Sequence, residues 1–339
     1  MKRLLVIWLG LAAALLVHAA LPAVPDLGEA RIVVLANNLQ NYYIHPNTGR
    51  GDYTEAEIAT KTNRIVEAMV TSGADVFAFC EVEAKPDVLE YLAAQMNTKA
   101  GVAGRYVAIS DNIDVDWDAT YNNNIKAGYI YRSDKVKPYM SNYYATNITY
   151  YKNVLRIQAW EELSGGERFA LSMNHFKAMT DEASVAKRVD NATWVMNALG
   201  TYAKDPDILI MGDLNAQMDE ECISVIENGG FEEQLLRFDP TAYSYIYYSN
   251  HQLIDHAFAN SSMASQITGA AVWHTNTSQA YGNRYSDHDA VMVGLCLGEC
   301  AAPVETVTIS EPQAQKIFRD GQLIILRGGI EYTITGQQL

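Results

Sequence analysis

The segment DILIMGDLN, residues 207–215, joins a short apolar run to a Gly-Asp-x-Asn motif. Branched apolar residues in a run of this length are typical of a strand that is buried on both faces. Asp213 and Asn215 follow directly, so a rigid element would hold their polar side chains at its end. The segment therefore predicts a buried strand that presents chemistry at its carboxyl end.

Four more apolar runs of this kind lie at residues 31–36, 75–80, 169–173 and 290–295. Helical patterns lie between them. Apolar residues recur along one helical face at Val185, Val189, Ala192, Met196 and Leu199. A second helix is predicted to begin near Thr54, with Glu57 as its capping-box partner. Strands that alternate with helices predict an α/β domain over residues 30–298.

Polar groups recur at the ends of these strands and in strand-like segments further along. Six places share the pattern: Asn38 with Asn41, Glu81 with Glu83, His175 with Lys177, Asp213 with Asn215, Asp255 with His256, and Asp287 with His288. One carboxylate at a strand end is usually a turn or cap residue, but six such places are hard to explain as caps. The pattern favours one composite site.

The residue types in this set suit the hydrolysis of a phosphate ester. Carboxylate and amide oxygens are hard ligands that prefer Mg²⁺, Mn²⁺ or Ca²⁺ to zinc. His175 and His288 titrate near neutrality and can exchange protons with water and with a leaving group. A metal bound by oxygen together with a histidine base supports in-line attack of water on phosphate.

The order of these motifs resembles that of the endonuclease/exonuclease/phosphatase superfamily, which has the deoxyribonuclease I-like fold, over residues 31–297. The combination of GDLN at 212–215 with SDHD at 286–289 is highly specific. The resemblance implies a four-layer α/β sandwich of two mixed β-sheets packed face to face and flanked by helices. Within the superfamily the chain looks most like secreted bacterial extracellular nucleases, although Asn37 and Ala178 depart from their pattern.

The resemblance implies a metal site and its ligands. Asn38, Glu81 and Asp287 would hold a divalent cation on a phosphate oxygen. Mg²⁺ is the expected ion, with Mn²⁺ or Ca²⁺ as alternatives.

The resemblance also implies the catalytic residues. His288 would be the general base, oriented by Asp255, with Asp213 as the rival base. Asp213 and Asn215 would position the water and the scissile phosphate. His175 would donate a hydrogen bond to that phosphate and protonate the leaving oxygen.

The charge of the chain excludes one class of nucleic-acid-binding protein. There are 25 Lys and Arg against 40 Asp and Glu, which gives a formal net charge of −15 and excludes a general basic coat for nucleic acid. Residues 121–160 differ, with six cations, one acid and eight of the 21 tyrosines. We predict that these cations line the rim of the cleft, although a tyrosine-rich sheet with solvated lysines has the same composition. The predicted substrate-binding residues are Asn41, Lys126, Arg132 and Lys177.

The two ends of the chain differ from its middle. Residues 1–23 have two cations, an apolar run and small residues, as a secretory signal peptide does; the alternative is a membrane anchor, for which the run is short. Residues 29–298 would be the catalytic domain. Residues 304–339 would be a short β-rich tail, whose ending resembles type IX secretion-sorting domains; the alternative is a hairpin of the main domain. Cys296 and Cys300 are close enough in sequence for a local disulfide.

These observations predict a secreted or cell-surface, monomeric, metal-dependent phosphodiesterase that cleaves nucleic acid, with DNA expected before RNA. After removal of the signal peptide it would have no stable membrane insertion. One alternative keeps the fold and the chemistry but acts on a phospholipid, sphingomyelin or an inositol phosphate. Another is a binding module that retains the fold without catalysis.

Overall fold

The computed structural model describes residues 20–46, 53–114, 124–144, 155–298, 315–319, 322–327, 330–333 and 337–339. Most of the predicted signal peptide lies outside these ranges, as does Lys152 of the cation-rich segment. The chain divides into two compact units, Met1–Gly298 and Glu299–Leu339. None of the helices in the described ranges combines the length and the hydropathy that a membrane span requires.

Six strands form the first sheet of the larger unit. In spatial order they are β13 (Ile267–Trp273), β14 (Ala290–Leu295), β1 (Ile32–Tyr42), β2 (Val76–Glu83), β4 (Ile125–Arg132) and β3 (Tyr106–Ala108). β1 and β2 are parallel, whereas β14 is antiparallel to both β1 and β13. Helices α1 (Glu55–Ser72) and α2 (Val88–Ala100) cover the outer face of this sheet.

Six further strands form the second sheet. In spatial order they are β5 (Val136–Tyr144), β6 (Leu155–Glu162), β7 (Arg168–His175), β8 (Ile208–Asp213), β12 (Asp255–Asn260) and β9 (Phe231–Glu233). β7 and β8 are parallel, and helices α3 (Glu182–Tyr202) and α4 (Glu221–Asn228) cover the outer face. The smaller elements are α5 (Gln234–Phe238), hairpin β10 (Tyr245–Tyr247) and β11 (Asn250–Gln252), α6 (Ser261–Ala264) and a 3₁₀ turn at Tyr281–Asn283.

Both faces of the central strands are buried, because successive strand residues point in opposite directions. In β1, Val34 and Ala36 belong to the cluster shared by the two sheets, whereas Leu35 packs with the residues of α1 and α2. In β8, Leu209 faces the other sheet and Ile210 faces α3. The layers are therefore helix, sheet, sheet and helix, and the predicted four-layer sandwich is confirmed.

Local signals set the ends of α1 as the sequence indicates. Thr54 accepts a hydrogen bond from the Glu57 backbone, and the Glu57 carboxylate accepts one from the Thr54 backbone, which completes a capping box. Gly73 ends the helix in the left-handed region at φ +67°. These caps hold α1 in the register that buries Ile65 and Met69 against the sheet.

The smaller unit contains a three-stranded antiparallel sheet of β15 (Gln315–Arg319), β16 (Gln322–Arg327) and β17 (Ile330–Thr333). Its role in sorting remains a prediction. Among the cysteines, Cys80 and Cys222 are buried free thiols and Cys296 is disulfide-bonded. Cys300 lies outside the described residues.

Candidate active site

The candidate site lies where the carboxyl ends of two parallel strand pairs meet, one pair from each sheet. Strand register places His175 of β7 opposite Asp213 of β8, and Asp255 of β12 opposite Asp213 from the other side. Asn38 of β1 donates from its amide group to Glu81 Oε1 (3.1 Å) and to Asp213 Oδ2 (2.9 Å). Asn38 therefore joins the two sheets at the site.

Gly212 allows the close approach of β7 and β8 just before Asp213. Its φ is +125°, and a Cβ atom built on it would lie 2.1 Å from the Asn174 carbonyl oxygen. Any side chain would push the strands apart, since backbone atoms cannot yield as a flexible side chain can. The glycine of the GDLN motif thus serves to bring Asp213 beside His175.

Backbone in the left-handed region surrounds Glu81. Gln40, Asn41 and Glu81 have φ of +47°, +54° and +52°. Such values are unfavourable for residues other than glycine and cluster at functional sites. Here they let the Asn41 N–H donate to Glu81 Oε2 at 2.9 Å, while the Gln40 N–H donates to Asn38 Oδ1 at 2.8 Å. The strained turn fixes the orientation of the Glu81 carboxylate.

His288 is held by its neighbours on both sides. Its Nδ1 lies 2.7 Å from Asp255 Oδ2, and its backbone N–H donates to Ser286 Oγ. Its Nε2 lies 3.7 Å from Asp213 Oδ2 and 3.9 Å from Asp287 Oδ1. Burial alone would lower the pKa of His288, but the Asp255 and Asp213 carboxylates raise it well above its usual value. The acids around the ring therefore favour the imidazolium form.

Asp213 lies at the centre of the cluster. Its Oδ1 accepts from the Asn215 N–H at 2.9 Å, and its Oδ2 lies 3.7 Å from His175 Nε2. Burial raises the pKa of Asp213, and the positive charge of His288 opposes that shift. The pKa of Asp287 is raised by burial in the same way, again against the effect of His288. The site thus concentrates carboxylates that water does not fully solvate.

The donor set fits a divalent cation. Glu81, His175 and Asp213 each offer an atom, all within 4.8 Å of one another, and Asp213, Asp255 and His288 form a second such group. Carboxylate oxygens near one another in a partly buried place are suited to Mg²⁺ and similar hard ions. The predicted ligand Asn38 already accepts from Gln40 and donates to both carboxylates, so in this structure it orients Glu81 and Asp213.

Two predicted substrate-binding residues lie next to this cluster. Asn41 contacts Glu81 through its backbone, and its side-chain Oδ1 is buried without a hydrogen-bond partner in the described structure. Lys177 follows His175 by two positions, and its backbone N–H donates to Asn191 Oδ1. Their contact with substrate stays a prediction.

The predicted substrate contact of Lys126 is wrong, because its ammonium is buried and paired. Lys126 Nζ donates to both carboxylate oxygens of Asp111, at 2.9 and 3.0 Å, and to the Lys85 carbonyl. Arg156 of the same basic segment donates to Asp111 Oδ2 at 3.1 Å. The charged groups of Lys126, Asp111 and Arg156 are at most 1% exposed, so they form a buried network that substrate cannot reach.

The predicted contact of Arg132 is also wrong. Arg132 lies at the end of β4 next to the start of β2, whereas Glu81 lies near the other end of β2. Its guanidinium pairs with Asp75 at 3.2 Å and Asp134 at 2.9 Å. Lys137 likewise pairs with Glu161 at the start of β5. Lys126, Arg132, Lys137 and Arg156 of the basic segment therefore do not line the candidate site.

Two histidines outside the cluster have structural contacts. His45 Nδ1 lies 3.0 Å from Glu83 Oε2, and His256 Nε2 lies 2.9 Å from the Ala216 carbonyl. His256 is fully buried and points away from His288, as its position next to Asp255 on a strand predicts. Neither ring reaches the candidate site.

Three further residues lie at the site and were not among the predicted site residues. The Tyr245 ring lies 4.8 Å from the His288 ring, and Ser286 Oγ donates to the Asn38 carbonyl. Lys61 of α1 is affected by the charges of Glu81 and Asp287, which oppose the fall in its pKa to about 8 on burial. The SDHD motif was the one sequence signal for Ser286. Lys61 gave no signal, because a lysine on an amphipathic helix has the pattern of a solvated residue.

Comparison with known proteins defines the fold. No protein-family model and no curated protein matches the chain. An endonuclease/exonuclease/phosphatase family protein from Bacteroides thetaiotaomicron is 15% identical with a TM-score of 0.59, over 79% of this chain and 98% of that one. TDP2 from D. rerio, complexed with single strand DNA product, is 14% identical with a TM-score of 0.52, over 77% and 97%.

A third structure, the mannosyl-6-phosphatase from Bacteroides thetaiotaomicron, is 15% identical with a TM-score of 0.52, over 78% of this chain and all of that one. All three likenesses cover nearly the whole of the compared chain at very low identity. They therefore concern the arrangement of strands and helices. The chain has the endonuclease/exonuclease/phosphatase fold.

Proposed function

We propose that the protein is a metal-dependent phosphodiesterase that hydrolyses nucleic acid. One observation carries the proposal: His288, bonded to Asp255 at 2.7 Å, faces Asp213, and Asn38 ties Asp213 to Glu81 across the two sheets. A base, an orienting acid and a set of hard oxygen donors are thereby gathered in one place. This is the chemistry that attack of water on a phosphate requires.

Each side chain of the cluster has its own role in the proposed hydrolysis. His288 Nε2 takes the proton of the attacking water, while Asp255 holds Nδ1 and stabilises the imidazolium that forms. Asp213 and Asn215 position the water and the phosphate. His175, whose Nε2 lies near both Glu81 and Asp213, donates a hydrogen bond to the phosphate.

Glu81 and Asp287 would hold the metal, with Asn38 orienting Glu81. A divalent cation bound there would neutralise charge on the phosphate and offset the carboxylates that keep a proton on His288. The residues of the chain then need only bind the phosphate, orient the water and move its proton.

Nucleic acid is the substrate that the motif resemblance favours. The fold is compatible with it, since TDP2 of the same fold was solved with a single strand DNA product. The same fold in a mannosyl-6-phosphatase means that the fold alone does not select the ester. The choice therefore depends on the groups around the cleft.

Activity on a panel of substrates tests the proposal. We expect purified protein to cleave plasmid DNA or RNA with Mg²⁺ and to stop on addition of EDTA. The variant His288→Ala should lower the rate by at least about 10³-fold, since it removes the base. His45→Ala, which removes an imidazole bonded to Glu83, is the matched control and should keep activity. Cleavage of sphingomyelin alone would contradict the nuclease, and no cleavage of any ester would favour a binding module.

We also propose that the protein is exported. The signal-peptide pattern of residues 1–23 supports this, and so does the disulfide at Cys296, because structural disulfides persist in oxidising compartments. The mass of the protein recovered from the culture medium should show that the first 19 to 23 residues have been removed. An intact N-terminus in the cell lysate alone would contradict export.

A further inference from the structure

A cavity of about 490 Å³ opens beside the candidate active site, between α1 and the segment that leads to His288. Asp287 lines this cavity and also lies 3.9 Å from His288 Nε2. The cavity and the catalytic cluster are therefore neighbours. Its volume is in the range of pockets that bind small molecules.

Three cations line this cavity: Lys61 and Arg64 of α1, and Arg284. Their hydrogen bonds go to neutral carbonyl groups. Lys61 Nζ donates to the Gln40 carbonyl, Arg64 Nη1 to the Arg284 carbonyl, and Arg284 Nε to the Gln279 carbonyl. Among the described residues, none of the three forms an ion pair within 4 Å, whereas Lys126, Arg132 and Lys137 all do.

Arg64 also carries a buried nitrogen, Nε, that has no hydrogen-bond partner in the described structure. A buried donor of a charged group left without an acceptor is unfavourable. The acids that line the cavity have other roles: Glu57 completes the cap of α1, and Asp287 belongs to the predicted metal ligands. The cavity thus offers guanidinium and ammonium donors that an anion would satisfy.

We propose that this cavity is a subsite for a second phosphate of the substrate, the one next to the scissile phosphate along a nucleic acid chain. The inference rests on the proposed function and names the substrate feature that the site recognises. Guanidinium groups match phosphate oxygens in geometry and charge. Tyr281, which is 83% exposed at the cavity, offers a ring on which a base can stack.

The sign of the charge distinguishes between substrates. A phosphocholine headgroup has no second phosphate for Lys61, Arg64 and Arg284 to bind. Its cation would meet these three cations against the two acids of the lining, Glu57 and Asp287, so the net charge of the lining disfavours it. A nucleic acid instead repeats a phosphate at every nucleotide, so it always has a neighbour of the scissile phosphate to offer to the subsite. This reasoning favours nucleic acid over sphingomyelin.

Dinucleotides that differ by one phosphate test the proposal. TpT has only the scissile diester, whereas pTpT and TpTp add a terminal phosphate on one side or the other. We expect one of the two to be cleaved with a kcat/KM about 10- to 100-fold above that of TpT, the effect of a charge-assisted hydrogen bond or two. In the variant Arg64→Gln with Arg284→Gln, this ratio should fall close to one, and Arg64→Lys with Arg284→Lys should restore most of it.

The matched control is Lys137→Gln, which removes an exposed cation at the start of β5 and should keep both the ratio and the basal rate. Arg64→Gln alone is the fallback if the double variant does not fold. An unchanged ratio in a folded variant would overturn the subsite. The subsite for a nucleic acid phosphate would also be overturned if the protein cleaved inositol bisphosphate faster than inositol monophosphate and showed no preference among the dinucleotides.

A binding measurement separates this failure from failure of the proposed function. Calorimetry with pTpT and TpTp in EDTA needs no cleavage. Suppose that the wild type cleaves nothing but binds one of the two dinucleotides at least about 10-fold more tightly than the double variant does. That result would support the phosphate subsite and contradict the proposed hydrolase activity. If the wild type cleaves nucleic acid but binds both dinucleotides no more tightly than the double variant does, the subsite is contradicted and the proposed hydrolase activity is supported.

Discussion

Two groups of cations in this molecule have opposite surroundings. Lys126 and Arg156 converge on Asp111 inside the protein, where their charged groups are at most 1% exposed. Lys61, Arg64 and Arg284 face a cavity beside Asp287, and within the described part of the chain their hydrogen bonds go to carbonyl groups. The first group comes from a basic stretch of sequence, and the second from two segments about 220 positions apart.

The difference shows that a local excess of Lys and Arg does not locate a surface for anions. A cation is available to a ligand only if the fold leaves it without an acid, and that depends on residues far away in sequence. Buried pairs stabilise or specify the fold, whereas unpaired cations in a cavity keep their capacity to bind. Three predictions test this distinction.

The largest effect is expected from Asp111→Ala. This change leaves the ammonium of Lys126 and the guanidinium of Arg156 buried without their shared acid. Removal of one partner from a buried ion pair destabilises a protein by about 3–5 kcal/mol. Urea denaturation should show that loss in the free energy of unfolding. Arg64→Gln, the control from the cavity, should change it by less than about 1 kcal/mol, and equal losses would abolish the distinction.

A smaller effect is expected in the salt dependence of cleavage. Each phosphate contact with a single strand contributes a slope of about −0.7 in log affinity against log salt concentration. Arg64→Gln should therefore make the slope of log kcat/KM on a single-stranded oligonucleotide less steep by about that amount. Lys126→Met removes a cation of equal charge from the buried network and should leave the slope unchanged. If the slope changed for Lys126→Met and not for Arg64→Gln, the buried network and not the cavity would hold the cations that contact phosphate.

The smallest effect concerns a buried pair outside both groups, His256 with Glu233, whose Nδ1 and Oε1 lie 3.6 Å apart in the core. Burial would lower the pKa of His256, but Glu233 raises it above the ordinary value. The pair therefore stabilises the fold below about pH 6.5, and this contribution is lost as the pH rises through the folded-state pKa.

Unfolding of wild type and His256→Gln at several pH values measures that contribution. The difference in free energy of unfolding should be larger at pH 6 than at pH 9. A difference that does not vary with pH would show that His256 stabilises the core only through its neutral contact with the Ala216 carbonyl.

Much of the fold and of the catalytic cluster could be predicted from the sequence, because both depend on local patterns. Apolar runs predicted the central strands, and the polar residues after them converge once β7 and β8 pair in parallel. His175, Asp213, Asp255 and His288 are close together for that reason.

The remaining features depend on partners that no local pattern reveals. Asp111 precedes the basic segment and pairs with two of its cations, Lys126 and Arg156, so the charge of the segment alone was misleading. Arg64 and Arg284 meet only through the packing of α1 against the segment before His288. The positive φ of Glu81 likewise accompanies a contact with Asn41, 40 positions away in the sequence, and residue type alone does not indicate it.

The position of His288 just before β14, the last strand of the larger unit, has a consequence for the producing cell. β14 pairs between β1 and β13, and Ser286 reaches back 248 positions to Asn38. A chain made from its N-terminus has Asn38 and Glu81 long before it has the base or the strand that carries it. Under the proposed function, a nascent chain cannot cleave the messenger RNAs around the ribosome, since hydrolysis begins only when the domain is complete.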